Sequence, residues 1–251
     1  MKLMKEYMDI GKNNRIMASK SGMHILSSGL RAFDWEYFKW PKEVHSLKKW
    51  RYFRDLAMDQ CGGWSDKDSA HNYLETYWQY TKGRDMNVNS VLEIGIKYGH
   101  SLCIWDVWFG SPEIIGVDIL LAKNHKPVDS RPFGRAAFLV NLPNNISLIE
   151  CDILKYTGLD EKKFDVIIDD GSHIPEQQMY VLNKFYKNLN KNGALFIEDI
   201  YSREVVDDLY NNFIGNKENL FRHCGLSEHI HRRPGTDIMD KDSNILVYIN
   251  R

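Results

Sequence analysis

The chain has 251 residues, 43% hydrophobic and 27% charged, enough apolar material to bury a sizeable core without disulfide or metal staples. This excludes a disordered chain, a collagen-like fibre and a disulfide-dependent miniprotein. Its 33 Lys and Arg nearly balance 34 Asp and Glu, giving a formal net charge of −1 with no overall electrostatic footprint for nucleic acid, so no nucleic-acid partner is expected.

The four cysteines, Cys61, Cys103, Cys151 and Cys224, contain no CxxC pair, which argues against a zinc knuckle and for buried thiols in a reducing compartment. The first residues, MKLMKEYMDIGKNNR, carry charge throughout and lack an apolar h-region, so no secretory signal is expected. No apolar run approaches the length of a membrane span. The expected location is the cytoplasm.

The pattern changes near residue 88. Residues 1–87 are rich in aromatic and charged residues with mixed three and four spacings, which predicts a helical N-terminal extension acting as a cap or oligomerisation element. Its aromatics (Trp35, Tyr37, Phe38, Trp40, Trp50, Tyr52, Phe53) suit a core or an oligomer interface, or stacking on a sugar or base, and a homo-oligomer is expected. From 88 to 251, β-branched runs alternate with helical stretches. The strands are SVLEIGI (90–96), EIIGVDI (113–119), ISLIECDI (146–153), FDVIIDD (164–170), GALFIEDI (193–200) and ILVYI (245–249). The helices are His100 to Phe109, Pro175 to Leu189 and Arg203 to Phe213. This alternation predicts an α/β domain with a mostly parallel sheet flanked by helices on both faces. Residues 120–145 carry three prolines and no clear period, as expected of a mobile insertion or lid.

VLEIGIKYGHS (91–101) reads as strand, glycine turn, helix. Glycine permits the sharp bend, and the helix N-terminus seats a carboxylate or phosphate. The spacing Gly95-x3-Gly99 is not GxGxxG, which disfavours NAD or FAD. The second strand ends in Asp118, placed to accept from ribose hydroxyls, and the third in Asp152, placed to face an adenine amine. Taken in this order, the features point to S-adenosylmethionine. After the fourth strand stands DDGSH (Asp169 to His173), and after the fifth Glu198-Asp199. Neighbouring parallel strands would bring these carboxylates to one mouth, where repulsion raises their pKa values and a hard cation such as Mg²⁺ or Mn²⁺ relieves it. His173 has the chemistry of a general base for an alcohol. The plainer reading is an Asx turn with His173 at a helix start, and a solvated strand end.

The motifs EIGx3GxS, GVDI, DVIIDDGSH and IEDI together resemble a class I S-adenosylmethionine-dependent methyltransferase. They resemble in particular the metal-dependent sugar O-methyltransferases of the mycinamicin and macrocin type. Cephamycin-cluster methyltransferase-like proteins and catechol O-methyltransferase share the pattern more distantly. The likeness covers about residues 64–200 and takes in Ser65-Asp66-Lys67, His71 and Tyr73. It implies a Rossmann-like, seven-stranded fold, with 88–251 as the cofactor-binding catalytic domain. Glu93, Gly95 and Gly99 would then shape the pocket for the cofactor's methionine part, Ser101 hold its carboxylate, and Asp118, Asp152 and Asp169 complete the cofactor set. Asp170 and Asp199 would be metal ligands, with Glu198 as third member, and His173 the base. Ile200 stands where catechol enzymes carry an amide ligand, so the last member of the shell stays open.

His229, His231, Arg232 and Arg233 form a basic cluster suited to the diphosphate of a nucleotide-linked sugar, or to pairing with Glu228 and Asp237 in a solvated loop. The expected function is metal-dependent methylation of a sugar hydroxyl, on a nucleotide-linked sugar for bacterial surface polysaccharide (capsule). The Lys- and Asn-rich composition agrees weakly with an AT-rich bacterial genome. The alternatives are a glycosylated natural product or phenol as acceptor, or a non-catalytic cofactor-binding protein.

Overall fold

The structure, a computed structural model, describes residues 67, 73–84, 86–97, 99–121, 142–226 and 244–251. The helical readings before residue 67, the insertion between 122 and 141, the residues Ser65, Asp66 and His71, and the cluster His229, His231, Arg232 and Arg233 lie outside the described residues. All described residues belong to one unit spanning 57–251.

Among them, seven strands form a single sheet in the order β3-β2-β1-β4-β5-β7-β6. The strands are β1 (Ser90–Ile94), β2 (Glu113–Asp118), β3 (Ile146–Glu150), β4 (Phe164–Asp169), β5 (Leu189–Ile197), β6 (Leu220–His223) and β7 (Ile245–Ile249). The first five pair parallel, and β7 runs antiparallel to both β5 and β6. The expected mostly parallel sheet is therefore present, and β4 and β5 are neighbours.

The sequence reading had no β6. Its four residues, Leu220 and Phe221 followed by Arg222 and His223, lie at the sheet edge, too short and polar a run to stand out. The second predicted helix, Pro175 to Leu189, also ends early. Helix α3 spans Pro175–Phe185, a tight turn covers Tyr186–Asn188, and Leu189 already pairs with Phe164 in β5. The Asn188 side-chain amide fixes this turn by donating to the carbonyls of Leu159 and Lys162, each at 2.8 Å.

Two other helices, α2 (His100–Phe109) and α4 (Arg203–Asn212), fall where expected. Ser202 caps α4 by accepting from the N–H of Val205. Before the sheet, α1 (Tyr73–Tyr80) lies on the far side of the expected boundary at residue 88 yet packs against the strands. No helix among the described residues is long and apolar enough to cross a membrane.

Side chains of successive strand residues alternate between the two faces. One face carries Leu92, Ile94, Ile167, Leu195 and Ile197, covered by Val181, Leu182 and Phe185 of α3 and Val206 and Leu209 of α4. The other face carries Phe196, whose ring lies 4.2 Å from Tyr77 of α1, which in turn lies 4.6 Å from Trp105 of α2. Such aromatic contacts add about 1 kcal/mol each beyond area burial.

The strand order reverses between β1 and β4, the place where open parallel sheets bind ligands beyond their C-terminal ends. Gly95 sits there with φ +84. The N–H of Asp170 bonds the Ile94 carbonyl at 2.8 Å, so the β4 exit passes directly over the glycine. An alanine Cβ at Gly95 would stand 2.1 Å from the Asp170 carbonyl oxygen, whereas one at Gly110, also at positive φ, would meet nothing within 4 Å. We therefore expect Gly110→Ala to cost about 1 kcal/mol, the left-handed penalty alone, and Gly95→Ala at least about 3 kcal/mol in urea denaturation. Equal losses would contradict the close approach.

Candidate active site

The two-residue period decides which carboxylates meet. Asp169 pairs with Ile94 and Ile197, so it faces the α3 side, while Asp170 and Glu198, one residue further on, face the α1 and α2 side with Glu93.

On that side Lys67 is buried, 1% exposed, with its Nζ 2.6 Å from Glu198 Oε2, 2.7 Å from Asp170 Oδ2 and 3.7 Å from Glu93 Oε1. Burial works against its charge, but Asp170, Glu198 and Glu93 together hold its pKa well above the ordinary lysine value. Glu198 is equally buried, and its second oxygen accepts from the Tyr77 hydroxyl. Burial raises the Glu198 pKa against the pull of Lys67. The Gln178 amide donates to the Glu198 carbonyl at 2.8 Å, fixing the chain at the β5 exit.

Glu93 accepts from the Ser101 hydroxyl at 2.8 Å. Burial pushes its carboxyl up to about 7, with Lys67 opposing the rise. Ser101, expected to hold a cofactor carboxylate, thus spends its proton on Glu93. Asp169 is also buried, and burial together with neighbouring Asp170 pushes it up to about 8.

Asp170, His173 and Asp199 form a second group, each offering one ligand atom within 4.8 Å of the others. His173 Nε2 stands 3.9 Å from Asp170 Oδ1 and 3.7 Å from Asp199 Oδ2, too far for hydrogen bonds. The other oxygen of each carboxylate is held by protein: Asp170 Oδ2 by Lys67, and Asp199 Oδ1 by the Tyr73 hydroxyl at 2.7 Å. His173 and Asp199 both have positive φ, 58 and 52, a conformation that costs non-glycine residues about 1–2 kcal/mol and concentrates at functional sites. Asn244 steadies the β5 exit beyond Asp199, its amide donating to the Ile200 carbonyl at 2.6 Å.

The glycine turn is held by Asp118, whose Oδ2 accepts from the N–H groups of Ile96 at 3.0 Å and Lys97 at 2.8 Å. Its Oδ1 accepts from Leu120 N–H at 3.1 Å. Gly99, at φ 77, opens α2, and no side chain caps that helix end. Asp152, after β3, accepts from Leu154 N–H at 3.1 Å and pairs with Lys155 at 2.9 Å, which holds its carboxyl below the usual range.

The structure thus gathers Asp170, His173 and Asp199 at one mouth, with Glu93, Ser101 and Glu198 buried on the same side of the sheet. Asp169 lies on the opposite face, Asp118 ends β2, and Asp152 lies two residues beyond β3. Lys67 and Tyr73 entered the sequence reading only as part of a family-like segment, and Tyr77 not at all. The signal for both tyrosines is their spacing of four, which puts them on one helix face toward the acidic strand ends.

No family model matches the chain. It is 28% identical over 144 residues to the 8-demethyl-8-alpha-L-rhamnosyl tetracenomycin-C 2'-O-methyltransferase of Streptomyces olivaceus, covering 54% of this chain and 35% of that protein. It is 31% identical over 147 residues to the L-olivosyl-oleandolide 3-O-methyltransferase of Streptomyces antibioticus, covering 55% and 35%. The matched stretch therefore spans about a third of these relatives' length. Among solved structures, the MycE methyltransferase of the mycinamycin pathway, in complex with Mg, SAH and mycinamycin VI, is similar at 26% identity and a TM-score of 0.39, covering 51% of this chain and 32% of that one. The strand order is the Rossmann-like, mostly parallel arrangement expected from the sequence, and the two relatives are named as O-methyltransferases of a rhamnosyl tetracenomycin and an olivosyl oleandolide.

The raised carboxyls set a pH dependence. Unfolded Asp and Glu titrate near about 4, so between about pH 6 and 7.5 the folded chain binds protons on Asp169 and Glu93 that the unfolded chain has lost. Folding stability then falls as pH rises. Without added divalent cation, the melting temperature should drop over this interval, and Asp169→Asn should flatten the slope. A wild-type melting temperature that stays level or rises would contradict the assignment.

Proposed function

We propose that this chain is a cation-dependent O-methyltransferase that transfers the methyl group of S-adenosylmethionine to a sugar hydroxyl of a glycosylated small molecule. The observation that carries this reading is the Asp170, His173 and Asp199 group standing beside the Gly95 turn at the reversal point of the sheet.

The residues fit both groups that this reaction needs. Two carboxylate oxygens converge beside an imidazole that hydrogen-bonds neither, an oxygen donor pair suited to Mg²⁺ or Mn²⁺. Asp170 and Asp199 would hold the cation. The N-terminus of α2, which no side chain caps, would receive the cofactor carboxylate. Asp118 would approach the ribose, and exposed Ile119 and Leu120 beside it would cover the adenine. When bound, S-adenosylmethionine supplies an electrophilic methyl group and the cation lowers the acidity barrier of the acceptor hydroxyl.

The chain's own residues then do three things. Tyr73 and Lys67 fix the two carboxylates, so the outward oxygens keep one orientation. Gly95 lets the β4 exit close over the turn, bringing cofactor and acceptor sides together. His173, 40% exposed, accepts the hydroxyl proton at Nε2 and passes it to solvent.

The acceptor class follows the two relatives, which are named for O-methylation of a rhamnosyl tetracenomycin and an olivosyl oleandolide. A nucleotide-linked sugar for surface polysaccharide is the other acceptor to be tried, and the basic cluster that suggested it lies outside the described residues. Glycosides and nucleotide sugars incubated with enzyme, S-adenosylmethionine and Mn²⁺ should show the mass gain of one methylene for a glycoside, abolished by chelator. Gain on nucleotide sugars alone would move the acceptor, and full activity in excess chelator would remove the cation. His173→Ala should lower turnover about 10²–10⁴-fold with Mn²⁺ affinity little changed. A lost Mn²⁺ affinity would make His173 a ligand instead.

A further inference from the structure

Fixing Asp170 does not by itself account for the full burial of the Lys67 ammonium. Its ammonium touches carboxylates from three adjacent strands: Glu93 within β1, Asp170 at the exit of β4 and Glu198 at the exit of β5. A buried carboxylate without a counter-charge or donor is strongly destabilising. Glu198 is 1% exposed and cannot turn to water, and its oxygens are divided between Lys67 and Tyr77. Asp170 is divided differently, with Oδ2 on Lys67 and Oδ1 toward His173 and Asp199. The acidic strand ends are thereby sorted into an inner set facing an ammonium and an outer set facing the mouth.

We propose that Lys67 is a positioning residue: its ammonium serves as an internal counter-cation that keeps Glu198 out of the divalent cation's shell and turns one oxygen of Asp170 outward. The cation half of this statement rests on the function proposed above. Two consequences separate it from a lysine that merely fills space. Without Lys67, Glu198 is a buried charge lacking its partner, so removing that charge as well should relieve the damage. Without Lys67, Glu198 and both oxygens of Asp170 also turn toward the divalent cation, and a repelling positive charge is gone, so the cation should bind more tightly.

The test uses the full chain and Mn²⁺ alone, with wild type, Lys67→Met, Glu198→Gln and the double variant. Melting temperatures are read without divalent cation, and free Mn²⁺ by electron paramagnetic resonance. Lys67→Met should lower the melting temperature by about 6–12 °C, and the double variant should recover at least about half of that loss. Mn²⁺ should bind Lys67→Met about three- to tenfold more tightly than wild type, with the double variant returning toward wild type. If Lys67→Met fails to fold while the double variant folds, that is the same rescue in its strongest form. Losses that simply add in the double variant, or a Mn²⁺ affinity that is unchanged or weaker in Lys67→Met, would overturn the proposal. If wild type binds no Mn²⁺ at all, the cation reading fails, and the melting temperatures still decide whether Lys67 is the counter-cation of Glu198.

Discussion

Negative charge at the C-terminal edge of β1, β4 and β5 is the constraint around which the described structure is arranged. Glu93, Asp169, Asp170, Glu198 and Asp199 lie at or just beyond neighbouring strand ends. Left together in a poorly hydrated place they would repel one another and unfold the edge. The chain answers in a different way on each face. Asp169 is separated from the others by the alternation of the strand, and burial favours its protonated form. Glu93 and Glu198 both face the ammonium of Lys67 with one oxygen, and Ser101 and Tyr77 donate to the other oxygen of each. Asp170 and Asp199 keep one oxygen each directed at His173.

The sheet makes this sorting possible because a parallel register fixes both height and face at once. The pairing of Asp169 with Ile94 and Ile197 puts the residues that follow, Gly95, Asp170 and Glu198, at one level. Gly95 has no side chain, so the β4 exit can cross it and deliver Asp170 next to the turn. A side chain at that point would push the two halves of the site apart. Tyr77 packs its tilted ring against Phe196 and Trp105 while its hydroxyl reaches Glu198, and the whole inner set is buried.

Much of this was legible in the sequence, and the remainder was hidden for identifiable reasons. The buried strands announced themselves as β-branched runs, and DDGSH and Glu198-Asp199 at their ends marked the acidic mouth. Strand β6 was hidden because Arg222 and His223 break its apolar pattern at an edge. The end of α3 was hidden because residues 186–189 keep a helical composition while Asn188 and the register with Phe164 impose a turn. The different fates of Glu198 and Asp199 could not be read from adjacent letters. They depend on Lys67, Tyr73 and Tyr77, more than 120 residues earlier in the chain, and only the fold brings those groups to the strand ends.

The division into inner and outer carboxylates is best tested by locating a bound cation directly. Crystals of the full chain grown with Mn²⁺ and S-adenosylhomocysteine, measured at the manganese absorption edge, should show one anomalous peak within about 2.3 Å of Asp170 and Asp199 oxygens, with Glu198 still on Lys67. A peak ligated by Glu198 with Lys67 displaced, or no peak at this mouth at saturating Mn²⁺, would contradict it.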